Sequence, residues 1–76
     1  MKTEILSDRE KEVLKLIVKE HSSSEIAVLL NLSIRTIDTH RKNILRKIDT
    51  RTTVGMIKYA IKQGLVPGFY FNDTHP

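Results

Sequence analysis

The chain has 76 residues, no cysteine, a hydrophobic share of 39% and a formal net charge of +4, which describes one small domain with a modest core that is only marginally stable without help. Disulfides and thiolate metal sites are excluded, and His21, His40 and His75 show no ligand spacing, so neither a metal nor another cofactor is expected. No apolar run approaches the ~20 residues that cross a bilayer, and the start Met1-Lys-Thr-Glu-Ile-Leu lacks the apolar stretch of a secretory signal; no membrane association and a cytoplasmic location are expected.

In chain order, Ser7-Asp-Arg-Glu10 fits the capping box, in which the serine side chain accepts from the third amide of a helix and the glutamate reaches back to the serine amide. A first helix is predicted over about 8–20, with Val13, Leu14, Ile17 and Val18 on one stripe and Lys11, Lys15 and Lys19 opposite. Ser22-Ser-Ser-Glu25 repeats the box and opens a short second helix over 23–30 that carries Ile26, Ala27, Leu29 and Leu30. Asn31-Leu32 breaks the pattern, and Ser33 caps a third helix over 34–48. Asp49-Thr-Arg-Thr52 interrupts it, and Thr52 caps a fourth helix over 53–63 that ends at Gly64. Val54, Ile57, Ile61 and Leu65 are its expected inner stripe, while Met56, Tyr59, Ala60 and Gln63 form an adjacent flank that a partner subunit could cover. No internal repeat and no period-2 strand pattern interrupts this all-α, four-helix bundle-like reading. Residues 1–66 make the domain, and 67–76, with Phe69-Tyr70-Phe71, a C-terminal tail.

The third helix separates into two faces. At about 100° per residue, Ile37, Ile44 and Ile48 fall within roughly 40°, flanked by Ile34 and Leu45, whereas Arg35, Thr39, Lys42 and Arg46 share an opposite sector of about 60°. Residues 1–32 carry net −1, residues 33–51 net +4 and residues 52–76 net +1. The positive excess therefore sits on this segment, as on a surface that meets phosphates. Two helices joined by a short turn, the second basic on its outer face, make a helix-turn-helix.

Leu6-Ser-Asp-Arg-Glu-Lys-Glu-Val-Leu14, Glu25-Ile-Ala27, Leu30-Asn-Leu-Ser33 and Thr36-Ile-Asp-Thr-His-Arg-Lys-Asn-Ile44 with Lys47 resemble the DNA-binding domain of the LuxR/FixJ (GerE-like) bacterial transcription regulators. The resemblance covers roughly residues 5–65, in four separated blocks that agree in order and spacing. It implies a four-helix domain that binds DNA through the helix-turn-helix and dimerises through the fourth helix. It places Asp38, Thr39 and Lys42 toward base edges and Thr36 near a phosphate; for Thr39 and Lys42 the helical wheel independently agrees. Lys42 can donate to guanine O6 and N7, and Thr39 can hydrogen-bond or offer its methyl to thymine. Arg35 and Arg46 fit phosphate contacts that position without specifying, and Ser23, Ser24 and Lys47 are further phosphate candidates. Met56, Tyr59, Ala60 and Gln63 are the dimer candidates.

This chain departs from the family pattern at three positions. Asp38 stands where a basic residue is common, Glu20 where glycine is, and Ser24 where lysine is. Asp38 either accepts from a cytosine amino group or pairs with Lys42 one turn later and fixes it. The plain alternative for a basic helix face is solvation, and His40 and Arg41 sit at the edge of the apolar stripe, where packing competes with binding. Glu10 is explained by its capping box, and no second carboxylate, activated nucleophile or glycine-rich phosphate loop accompanies it, so an enzyme is not expected.

The expected function is sequence-specific binding of double-stranded DNA for transcription regulation, with helix 34–48 in the major groove and two copies on an inverted repeat. RNA polymerase is a further candidate partner, and no small-molecule ligand is expected in this segment. The rival readings are a sigma-factor-like promoter reader and a helical protein-interaction module. With about six residues before the first helix, the chain is expected to be the effector fragment of a longer protein rather than a freestanding regulator.

Overall fold

A computed structural model of the chain describes residues 4–66. They form four helices, α1 (Asp8–Val18), α2 (Ser23–Leu30), α3 (Ile34–Lys47) and α4 (Thr53–Lys62), and no strand occurs among the described residues. The tail 67–76 lies outside them.

Each helix begins at a hydroxyl cap. Ser7 accepts from the Glu10 amide at 3.1 Å while the Glu10 carboxylate takes the Ser7 amide at 2.9 Å. Ser22 and Glu25 repeat the exchange at 3.1 and 2.8 Å. Ser33 accepts from the Thr36 amide at 3.1 Å and Thr52 from the Gly55 amide at 2.9 Å. Every helix therefore satisfies one of the amide groups that have no partner within it.

Each helix also stops in the same way, at one left-handed residue: Glu20 (φ 69°), Asn31 (φ 57°), Asp49 (φ 58°) and Gly64 (φ 74°). After α1 the amide of Glu20 donates to Ile17 O and that of His21 to Leu16 O; Asn31 and Leu32 donate to Val28 O and Ala27 O. Asp49 and Thr50 donate to Arg46 O and Leu45 O, and Gly64 and Leu65 to Ile61 O and Ala60 O. This paired closure satisfies the final carbonyls and turns the chain sharply. It ends α1 at Val18, α3 at Lys47 and α4 at Lys62, one or two residues short of the sequence expectation, because the residues just before each left-handed position belong to the closing turn and not to the helix.

The core is one cluster: Leu6; Val13, Leu14, Ile17 and Val18 of α1; Ile26 and Ala27 of α2; Ile37, Ile44 and Ile48 of α3 and its end; Met56 and Ala60 of α4; and Val66. The first helix packs against all three others, and α2 packs on α3. Ile34 and Leu29, both expected on the apolar side, are half exposed or more at 49% and 56%. Each lies near the end of its helix, Ile34 as the first residue of α3 and Leu29 as the last but one of α2.

The fourth helix is rotated from its expected phase. Met56 and Ala60 are completely buried, whereas Val54 is 50% exposed and Ile57, Tyr59, Ile61 and Leu65 pack only partly against the core. Ala60 leaves room for α1 to approach closely, and the flexible Met56 fills the remaining space. Neither side chain is available to a partner subunit, which corrects their assignment as dimer contacts; Tyr59 is half-buried and Gln63 exposed. Gly55 has its own packing reason: a Cβ there would collide with the Thr50 hydroxyl and lie 2.9 Å from Thr50 Cβ.

Candidate nucleic-acid interface

The turn Asn31–Leu32–Ser33 joins α2 to α3 with both of its ends fixed by backbone-directed bonds. Asn31 closes α2 in the left-handed conformation, Leu32 N donates to Ala27 O at 2.9 Å, and Ser33 caps α3. The Ser33 and Thr36 hydroxyls also meet at 2.9 Å. Burial of Ile37 and Ile44 at 0% and Ile48 at 7% then sets the rotation of α3 about its axis. Arg35, Thr39, Lys42 and Arg46 are exposed on the face opposite those isoleucines, and Asp38 is exposed on the flank beside them.

Thr39 uses its hydroxyl hydrogen within the helix, donating to Arg35 O at 3.0 Å. What it can offer outward is a methyl group and an accepting oxygen. No ion pair joins Asp38 to Lys42 among the described residues, so the carboxylate and the ammonium stand side by side as separate acceptor and donor. Thr36 is half-buried, with its hydroxyl on Ser33. His40 and Arg41 are half-buried, as expected at the edge of the apolar stripe. Ser23, half-buried, and Ser24, exposed, occupy the first turn of α2, where backbone amides face outward and favour an anion.

Two basic side chains are already engaged. Lys47 Nζ lies 2.8 Å from Glu10 Oε1, with the two side chains only 19% and 6% exposed. The same Glu10 oxygen takes the Ser7 amide, so one carboxylate caps α1 and ties it to the end of α3. Burial opposes ionisation of Glu10, but the bonds from Lys47 and Ser7 together with the Lys47 charge outweigh it, and the carboxyl titrates below its ordinary value. Lys47 is therefore a fastening between helices, and the bond to Glu10 competes with the phosphate contact expected of it. Arg46 Nη1 reaches both oxygens of Glu4 at 3.2 and 3.4 Å, while the Glu4 amide donates to Lys47 O at 2.8 Å. Sequence reasoning missed both bridges, because partners 37 and 42 residues apart leave no local spacing signal.

The remaining charge on the outer side is uneven. Among the described residues Arg35, Arg41 and Lys42 carry no acidic partner, so the N-terminal two-thirds of α3 keeps a positive excess even with the unpaired Asp38 counted against it. On α2, Glu25 holds its proton less tightly than an ordinary glutamate, because the Ser22 amide bonds it and His21 lies beside it.

Residues 4–60 match the model of the bacterial regulatory proteins, luxR family. The chain is 44% identical over 61 residues to the transcriptional regulatory protein MctR of Rhizobium johnstonii, covering 80% of this chain and 28% of that protein. It is 42% identical over 60 residues to the uncharacterized response regulatory protein YgeK of Escherichia coli K12, covering 79% and 41%. Among solved structures, the response regulator ChrA of a heme-sensing two-component system superimposes with a TM-score of 0.76 at 29% identity, covering 87% of this chain and 33% of that one. The chain thus spans less than half the length of each of these relatives.

Proposed function

Because the chain belongs to the luxR family of bacterial regulatory proteins, DNA-binding regulators of transcription, we propose that its matched domain reads DNA by laying α3 in the major groove. One observation carries this reading: Arg35, Asp38, Thr39, Lys42 and Arg46 stand exposed together on a helix whose apolar side is locked by Ile37, Ile44 and Ile48. Asp38, Thr39 and Lys42 are assigned to base edges. Lys42 is a donor suited to guanine, Asp38 an acceptor suited to a cytosine amino group, and Thr39 a methyl suited to thymine. Arg35, Arg46, Thr36 and the first turn of α2, with Ser23 and Ser24, are assigned to phosphates, where they set position without reading sequence.

A homodimer is part of the same proposal. The exposed part of the α4 flank, Gln63 with half-buried Tyr59, would bring two copies together, with their third helices about one helical turn, ~34 Å, apart on an inverted repeat. Contact with RNA polymerase and a cytoplasmic location follow from this role and are proposed with it; no helix among the described residues is long and apolar enough to cross a membrane.

Titration with a random-sequence duplex at rising salt tests the phosphate assignment. Log K should fall linearly with log salt, by about 0.9 per phosphate contacted. Selection from a random DNA pool tests the base assignment: Lys42→Ala should relax preference at one base pair by about 1–3 kcal/mol and leave the others unchanged. No binding even at low salt would refute the reading.

A further inference from the structure

Residues 4–7, just before α1, are tied to the domain: Leu6 is buried in its core and Glu4 reaches the end of α3. The Glu4 amide is bonded to the carbonyl of Lys47 at 2.8 Å, in the last turn of α3. The Glu4 carboxylate then lies against Arg46, with Nη1 at 3.2 and 3.4 Å from its two oxygens. The bond between backbones fixes the Glu4 main chain beside the end of α3, and so keeps its carboxylate within reach of Arg46. Both side chains stay well exposed, at 59% for Arg46 and 60% for Glu4. The pair is therefore weak enough for another anion to displace.

Resting on the proposed phosphate role of Arg46, we infer that Glu4 is a positioning residue that lowers DNA affinity by competing with a backbone phosphate for the Arg46 guanidinium. Arg46 shares the outer face of α3 with Arg35, Thr39 and Lys42, and a phosphate that reached it would face the Glu4 carboxylate across the same group. Binding then requires either that Arg46 leave Glu4 or that two anions crowd one guanidinium. Lys47, the next residue, is held by Glu10 in a much less exposed pair and takes no part in the exchange. Glu4 thus weakens one contact of the interface while α3 itself stays in place.

The test is a double-mutant cycle on the full chain with a fluorescent random-sequence duplex, measured across a salt series. Glu4→Gln keeps hydrogen-bonding capacity and removes the charge. It should tighten binding about two- to fivefold at low salt and steepen the slope of log K against log salt by up to about 0.9, the equivalent of one phosphate. In the Arg46→Ala background the same substitution should change neither affinity nor slope. Equal tightening in both backgrounds would mean that the carboxylate acts through its general field, and would overturn the inference. Unchanged or weaker binding by Glu4→Gln alone would also overturn it. If Arg46→Ala binds as tightly as the parent chain, the phosphate role of Arg46 fails instead. Helical circular dichroism of all four proteins establishes that each is folded.

Discussion

Glu20 closes α1 at φ 69°, a conformation that costs a residue with a Cβ roughly 1–2 kcal/mol. Replacing it with glycine removes that cost but returns about 0.4–1 kcal/mol to the unfolded chain as backbone freedom. The Glu20 side chain is exposed and makes no hydrogen bond or ion pair among the described residues, so nothing is lost with it. Its charge stands at the negative end of the α1 dipole, and removing it adds a few tenths of a kcal/mol. Glu20→Gly should therefore stabilise the domain by about 0.5–1.5 kcal/mol, raising Tm by roughly 2–12 °C for a chain of this size. Urea unfolding followed by far-ultraviolet circular dichroism measures it, with a higher midpoint and an unchanged m-value expected. Glu20→Ala serves as the control, because it removes the charge and keeps the strained backbone; it should recover only the few tenths. A midpoint for the glycine variant at or below that of the alanine variant would refute the assignment of strain to this position.

Lys47→Ala strands the buried Glu10 carboxylate and should cost about 2–3 kcal/mol, seen as a lower urea midpoint. The same pair gives an acid limb to stability. Because the Glu10 carboxyl is depressed in the folded chain, its contribution is full above the unfolded value near ~4.3 and is lost as pH falls through the folded one; Glu10→Gln should flatten that limb, and an unchanged acid limb would contradict the coupling. Thr39→Val keeps a methyl and should retain the base preference in a random-pool selection, whereas Thr39→Ser should lose it; the opposite outcome would show that the hydroxyl does the reading. Gly55→Ala should destabilise by about 1–3 kcal/mol through overpacking against Thr50, and a neutral midpoint would mean that Thr50 moves aside freely.

Helix starts were legible because Ser7, Ser22, Ser33 and Thr52 announce themselves by chemistry that acts within four residues. Helix stops were less so. A left-handed backbone is visible in sequence when glycine marks it, as at Gly64, and hidden when Glu20 or Asp49 adopts it under the pull of the two closing bonds. The two faces of α3 followed from periodicity alone, since Ile37, Ile44 and Ile48 admit only one orientation toward a core. The phase of α4 did not follow. Its aliphatic residues surround the wheel, and the choice falls to Ala60 and Met56, whose fit depends on how closely α1 approaches. The Glu10–Lys47 and Glu4–Arg46 bridges needed the fold, because only the packing of α1 and its preceding segment against α3 brings those charges together. Two basic residues counted toward the DNA surface are thereby paired at home.

The separation between what anchors α3 and what it displays has a bearing on diversification. Its register is set by the closure at Asn31, the cap at Ser33 and three buried isoleucines, none of which is an exposed reading position. Residues 38, 39 and 42 can therefore change without disturbing the mounting that holds them. On the proposed assignment the domain is a fixed handle with an exchangeable blade, and altered base preference is reachable by single surface substitutions that each change stability by only about 0.5 kcal/mol.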